Sequence, residues 1–69
     1  MKVIVNGEHK EYEFDKISVL DLLSLNNVKN PDVVVVQING NVCEKEFYSS
    51  TFVKDGDEVD FIYFVGGGQ

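Results

Sequence analysis

The sequence predicts an α+β fold in which a single helix packs across one mixed β-sheet. Three observations carry this reading: short segments of alternating apolar and polar residues at both ends of the chain, one stretch with helical spacing between Ser18 and Leu25, and Asn-Gly pairs at two strand-to-strand junctions. The 69 residues are enough for one small domain, with residues 1–65 expected as the folded body and residues 66–69 as a flexible glycine tail. A body of this size buries only about 60% of its unfolded surface, so it needs one economical core with few loops.

Lys2 to Asn6 alternates, placing Val3 and Val5 on one face of a half-buried strand. Asn6-Gly7 then supplies the positive φ values of a type I′ hairpin turn, and a returning strand is expected over His9 to Phe14. Ser18 and Asp21 have the spacing of a capping box, and Ile17 and Leu22 sit where a hydrophobic staple belongs. These signals start a helix over Val19–Leu25, with an apolar stripe built from Leu20 and Leu23 beside Val19 and Leu22. Asn26-Asn27 end it with residues that tolerate the left-handed conformation, ahead of Pro31. Val33 to Ile38 is apolar apart from Gln37 and reads as a central strand buried on both faces. Asn39-Gly40 makes a second hairpin turn into a short return at Val42-Cys43, followed by an irregular stretch from Glu44 to Thr51. Asp55-Gly56-Asp57 turns the chain into a last strand, Glu58 to Val65, with Val59 and Phe61 facing inward alongside Val3 and Val5, and Asp60 and Ile62 facing outward. The order is strand, strand, helix, strand, short strand, strand. Connected without crossings, it gives a β-grasp, or ubiquitin-like, arrangement.

Composition excludes several function classes. Twelve acidic residues against six lysines and no arginine give a net charge of −6, which disfavours nucleic acid and anionic membranes and suits a basic groove on another protein. Cys43 is the single cysteine and His9 the single histidine, so an internal disulfide, a four-thiolate cluster, a Cys-rich zinc site and a histidine metal cage are all ruled out. Asp55, Asp57, Glu58 and Asp60 crowd together, yet a calcium loop needs a longer regular series of oxygen ligands; turn chemistry and solvated strand positions account for them. Cys43 reads as a small buried hydrophobe, and His9 as solvent-exposed. Tyr12, Phe14, Phe47, Tyr48, Phe52 and Tyr63 read as core or core-edge aromatics. With no nucleophile–base pair, no catalytic residue and no metal ligand is assigned. No apolar run approaches the roughly 18 residues of a membrane span, and the opening residues read as a strand rather than a signal peptide. A cytoplasmic protein, monomeric when free, is the expectation.

The remaining chemistry lies at the C-terminus. Gly66-Gly67-Gly68 follows the last hydrophobic strand, with Gln69 beyond. Four extended residues reach about 13 to 14 Å, enough to enter another protein's active site while the body stays outside. Glycines pass a narrow channel because they lack Cβ, and fixing them costs entropy, so a partner must grip the backbone. Ile62 and Phe64 share the outward face of the last strand by period-two counting, and Ile4 adjoins them if the first and last strands pair. Exposed apolar residues beside such a tail mark a partner-docking patch.

Taken together, several segments resemble one family. They are the opening strand with its Asn6-Gly7 turn, the stretch from Val36 to Gly40, Lys54-Asp55-Gly56-Asp57-Glu58-Val59, and the closing Phe64-Val65-Gly66-Gly67-Gly68. In order, spacing and total length they resemble the small sulfur carriers of thiamine biosynthesis, the ThiS type, which are β-grasp proteins ending in a diglycine. The resemblance implies a protein that serves as co-substrate and supplies no catalytic residue. An adenylyltransferase of the ubiquitin-activating-like type would spend ATP to turn the terminal glycine carboxylate into an acyl adenylate. Sulfur would then replace AMP, and thiazole synthase would take sulfur from the thiocarboxylate. No cofactor is bound stably in such a cycle. On this analogy Gly68 bears the thiocarboxylate and Gly67 completes the diglycine. Gln69 departs from the pattern: either a peptidase removes it, or it is an artificial addition, or the chain is not an active carrier. The small subunit of molybdopterin synthase is similar in fold and tail but usually longer, and a ubiquitin-like interaction module that is never charged with sulfur is the alternative from another class.

Overall fold

The computed structural model describes residues 1–63. Phe64, Val65 and the expected tail of residues 66–69 lie outside the described residues. The elements run β1 (Lys2–Val5), β2 (Glu8–Glu11), β3 (Lys16–Ser18), α1 (Val19–Leu25), a 3₁₀ turn (Pro31–Val33), β4 (Val34–Ile38), β5 (Asn41–Cys43), a second 3₁₀ turn (Lys45–Phe47), β6 (Phe52–Lys54) and β7 (Glu58–Tyr63). Five strands form one mixed sheet in the order β2-β1-β7-β4-β5, while β3 and β6 make a separate two-stranded ribbon. β1 and β7 are parallel, with Ile4 beside Glu58 and Val5 beside Val59. The other pairings in both sheets are antiparallel.

Both Asn-Gly turns form as the sequence demands. Asn6 and Gly7 have φ of 51° and 81°, and Asn39 and Gly40 have 52° and 85°, values that asparagine and glycine tolerate far better than branched residues. The helix begins where the capping signal places it: the Ser18 hydroxyl accepts the Asp21 N–H at 3.1 Å. It ends through Asn26, followed by Asn27 at φ 65°.

One face of the five-stranded sheet packs against the helix. Val3, Val5, Val34, Val36, Val59 and Phe61 point into a core completed by Val19, Leu22 and Leu23 of α1, by Ile17 and Val53 of the ribbon, and by Val28 and Tyr48 of the connections. Tyr48 is the one aromatic among the connecting segments that is fully committed to this core, and its hydroxyl donates to the Val34 carbonyl at 3.1 Å. Burial raises the Tyr48 phenol pKa above its ordinary value.

Several expectations are corrected. β2 stops at Glu11, short of Phe14. β3 and β6 are unforeseen, because two three-residue segments carry too little alternation to announce themselves and form only by pairing with each other. The run beginning at Val33 is a 3₁₀ turn followed by β4, and β4 is not buried on both faces: Val34 and Val36 are buried whereas Val35 and Gln37 are half-buried. Leu20 lies outside the helix's buried stripe at 42% exposure, since Val19, Leu22 and Leu23 already fill the contact with the sheet. Phe14, Phe47, Phe52 and Tyr63 are each about half exposed, not core residues. Lys16 holds its ammonium 4.9 Å from the centre of the Phe52 ring, which gives that exposed ring a partner. Cys43 is half-buried at the core edge. Asp57, expected in solvent, is buried.

Candidate functional site

The opposite face of the five-stranded sheet carries the candidate docking residues that fall among those described. β7 lies at the sheet's centre, between β1 and β4, so its outward side chains occupy the middle of that face. Ile62 is exposed (46%) and stands opposite Val35 of β4. Asp60 stands opposite Gln37, which in turn pairs with the exposed Val42 of β5. Ile62 and Val35 thus form an apolar pair near the end of the sheet toward which β7 runs, and Val42 lies one row back, in line with Gln37 and Asp60.

Ile4 faces the same side but lies elsewhere. The first and last strands do pair, yet the register sets Ile4 beside Glu58 and opposite His9 of β2. Ile62 is four residues further along β7, roughly 13 Å at strand spacing, and beyond the end of β1. The acidic pair Glu58 and Asp60 fills the interval. Ile4 and Ile62 are therefore two separate apolar points with a negatively charged strip between them. Phe64, Gly67, Gly68 and Gln69 lie outside the described residues.

Val35 and Val42 were missed by sequence reasoning. Period-two counting from the inward Val34 and Val36 would have turned Val35 outward, but an almost continuous run of β-branched residues hid the alternation. Among the described residues, no nucleophile–base pair stands on the outer face: Ile62, Val35 and Val42 have no titratable group, and His9 faces Ile4. Among the described residues there is no cluster of three or more His, Cys, Asp or Glu able to hold a metal ion. No described helix is long and apolar enough to cross a membrane. What this face can do is bind: exposed apolar side chains next to acidic ones fit a partner surface of apolar residues edged with basic ones.

Comparisons with known proteins agree on one lineage. The model of the ThiS family matches residues 3–68. The sulfur carrier protein ThiS of Bacillus subtilis is 31% identical over 64 residues, an alignment covering 93% of this chain and 96% of that protein. A thiazole synthase from Paramagnetospirillum magneticum is 30% identical over 71 aligned residues that take in 100% of this chain but only 21% of that enzyme. Among solved structures, the crystal structure of the thiamine biosynthesis protein ThiS from Geobacter metallireducens superposes with a TM-score of 0.87 at 42% identity, covering 99% of this chain and 100% of that one. A solution structure of a thiamine biosynthesis protein from the same organism gives a TM-score of 0.80 at 41% identity, covering 100% and 90%.

Proposed function

The chain belongs to the ThiS family, and from that premise we propose that Gly68 is the residue that is adenylated and then charged with sulfur. The protein is a sulfur carrier of thiamine biosynthesis with a β-grasp body, and it acts as a co-substrate rather than a catalyst. The observation that carries the assignment of Gly68 is the reach of the family match, which extends through Gly68 and stops before Gln69.

The chemistry follows from the terminal carboxylate, a poor electrophile. An adenylyltransferase of the ubiquitin-activating-like type brings ATP; a carboxylate oxygen attacks the α-phosphorus, pyrophosphate leaves, and an acyl adenylate forms. A sulfur nucleophile supplied at sulfide level then attacks the acyl carbon, AMP leaves, and the thiocarboxylate remains. Gly67 and Gly68, without Cβ atoms, let the partner close around the backbone. For Gly68 to react, the Gly68–Gln69 peptide bond must first be hydrolysed, so Gln69 is removed before activation. ATP is consumed by the partner, and the carrier retains no cofactor.

Thiazole synthase receives the sulfur. The thiazole synthase whose own chain includes a segment similar to this entire sequence supports that pairing, because it joins a carrier-like unit to the enzyme that uses it. Ile62 and Ile4 contribute to docking on either side of the Glu58–Asp60 strip, and Phe64, outside the described residues, is the third candidate from the sequence.

The test is the intact mass of the chain after a carboxypeptidase has removed Gln69 and the trimmed chain has been incubated with the adenylyltransferase, ATP and a sulfide source. A species ending at Gly68 with one oxygen replaced by sulfur is the expected product. A chain trimmed to end at Gly68 whose mass persists unchanged beside an active enzyme rejects the assignment.

A further inference from the structure

We propose that Asn6 and Asn39, the leading residues of the two Asn-Gly turns, are positioning residues for the carrier reaction, pinning β7 from both sides and so fixing how the chain is delivered beyond Tyr63. The proposal rests on the thiocarboxylate reading above.

The geometry is particular to these two side chains. The β1–β7 ladder covers only Ile4 beside Glu58 and Val5 beside Val59 before the turn carries β1 away. The Asn6 N–H still donates to the Val59 carbonyl at 2.9 Å, and the Asn6 Oδ1 accepts the Phe61 N–H at 2.7 Å. The side-chain amide thus takes the place of the next backbone carbonyl and lengthens the ladder after its backbone has left. On the β4 side, the Asn39 N–H donates to the Glu58 carbonyl at 2.7 Å, and the Asn39 Oδ1 accepts the Glu58 N–H at 3.0 Å. Its Nδ2 donates to Asp57 Oδ1 at 3.0 Å, and Asp57 Oδ2 accepts the Lys54 N–H at 2.9 Å. β7 is therefore held at Glu58 from one edge and at Phe61 from the other.

Register is what such a clamp protects. A slip of one residue would turn Ile62 inward and reverse the faces of its neighbours in β7. A glycine tail has no side chains with which a partner could correct that error. The two asparagines are also chemically distinct. The Asn6 side chain acts as an acceptor toward Phe61, which aspartate can imitate; the Asn39 side chain both accepts from Glu58 and donates to a carboxylate, which aspartate cannot.

Glycine variants separate the clamp from the turn, because Asn6→Gly and Asn39→Gly keep the positive φ while removing the side chain. With the chain trimmed of Gln69 by a carboxypeptidase, the adenylyltransferase, ATP and a sulfide source, each glycine variant is expected to charge with turnover lowered about fivefold, the scale of one net hydrogen bond, at little change in KM. Amide hydrogen exchange should accelerate at Phe61 in the first variant and at Glu58 in the second. Asn6→Asp should restore turnover and Asn39→Asp should not. Wild-type turnover in Asn6→Gly despite faster exchange at Phe61 overturns the proposal. Where a glycine variant fails to stay folded, the aspartate pair decides: equal turnover in Asn6→Asp and Asn39→Asp overturns it, and unequal turnover in the stated direction supports it. A wild-type chain that stays uncharged rejects instead the thiocarboxylate reading on which the clamp depends.

Discussion

The two faces of the five-stranded sheet are built from the same strands and hold opposite kinds of surface. The inward face of β1, β4 and β7 is almost pure valine with one phenylalanine, sealed by α1. The outward face mixes Ile4, Val35 and Ile62 with Lys2, Glu58 and Asp60, and much of it remains in contact with solvent. Period-two alternation thus divides one strand between two tasks: every second residue makes the fold, and the residues between are free to serve a partner. A mutation's effect should depend on its face before it depends on its chemistry.

The strongest test of that division is Leu22→Ala, which hollows the inner side from the helix. Leu22 is fully buried, and its truncation should cost about 3 kcal/mol of unfolding free energy in urea titration. A loss below 1 kcal/mol would show that the small core can collapse around the gap. Next comes Asp57→Ala, at the edge between the faces. The buried carboxylate accepts from the Asn39 side chain and the Lys54 N–H, so removing it leaves two donors without a partner and should cost about 2 kcal/mol in the same titration. On the outer face, Ile62→Asp should leave thermal stability nearly unchanged while weakening affinity for the adenylyltransferase about tenfold, equivalent to about 1.4 kcal/mol. Calorimetric titration with the two proteins measures this, and unchanged affinity would remove Ile62 from the docking surface.

The smallest effect is expected at Tyr48→Phe, which leaves the Val34 carbonyl without its donor at a cost of about 1 kcal/mol. The same residue gives the inner side a pH signature. Because burial raises the phenol's pKa in the folded protein, the folded state holds that proton more tightly than the unfolded chain. The associated stability is complete below the ordinary tyrosine value of about 10 and is lost as pH rises through the raised folded value. Denaturation curves across alkaline pH should show this loss in the wild type and a weaker one in Tyr48→Phe.

Much of the inner face was legible in the sequence, because local chemistry and burial agree there. Ser18 caps the helix it announces, the two Asn-Gly pairs turn where they stand, and Val3, Val5, Val59 and Phe61 point inward as alternation requires. What escaped depends on partners distant in sequence. β3 and β6 exist only through each other, and Asp57 is drawn inside by Asn39 and by the Lys54 backbone. Of the candidate docking residues, the outward side of Ile62 follows from counting along its strand. Its distance from Ile4 is set by the β1–β7 register, which no local pattern encodes.

That parallel pairing also bears on synthesis. β7, the last strand among the described residues, sits at the centre of the sheet, and both β1 and β4 hydrogen-bond to it. While a ribosome is still making the chain, β1 can pair with β2 and β4 with β5, but nothing joins the two hairpins until β7 has emerged, so closing the sheet waits on contacts between residues more than fifty positions apart. A chain cut short before Glu58 has two hairpins with no strand to join them, and a cell's proteases would meet it without a closed sheet. Possession of the folded body is therefore a certificate of length: whatever recognises that body is presented with a chain translated at least through its central strand.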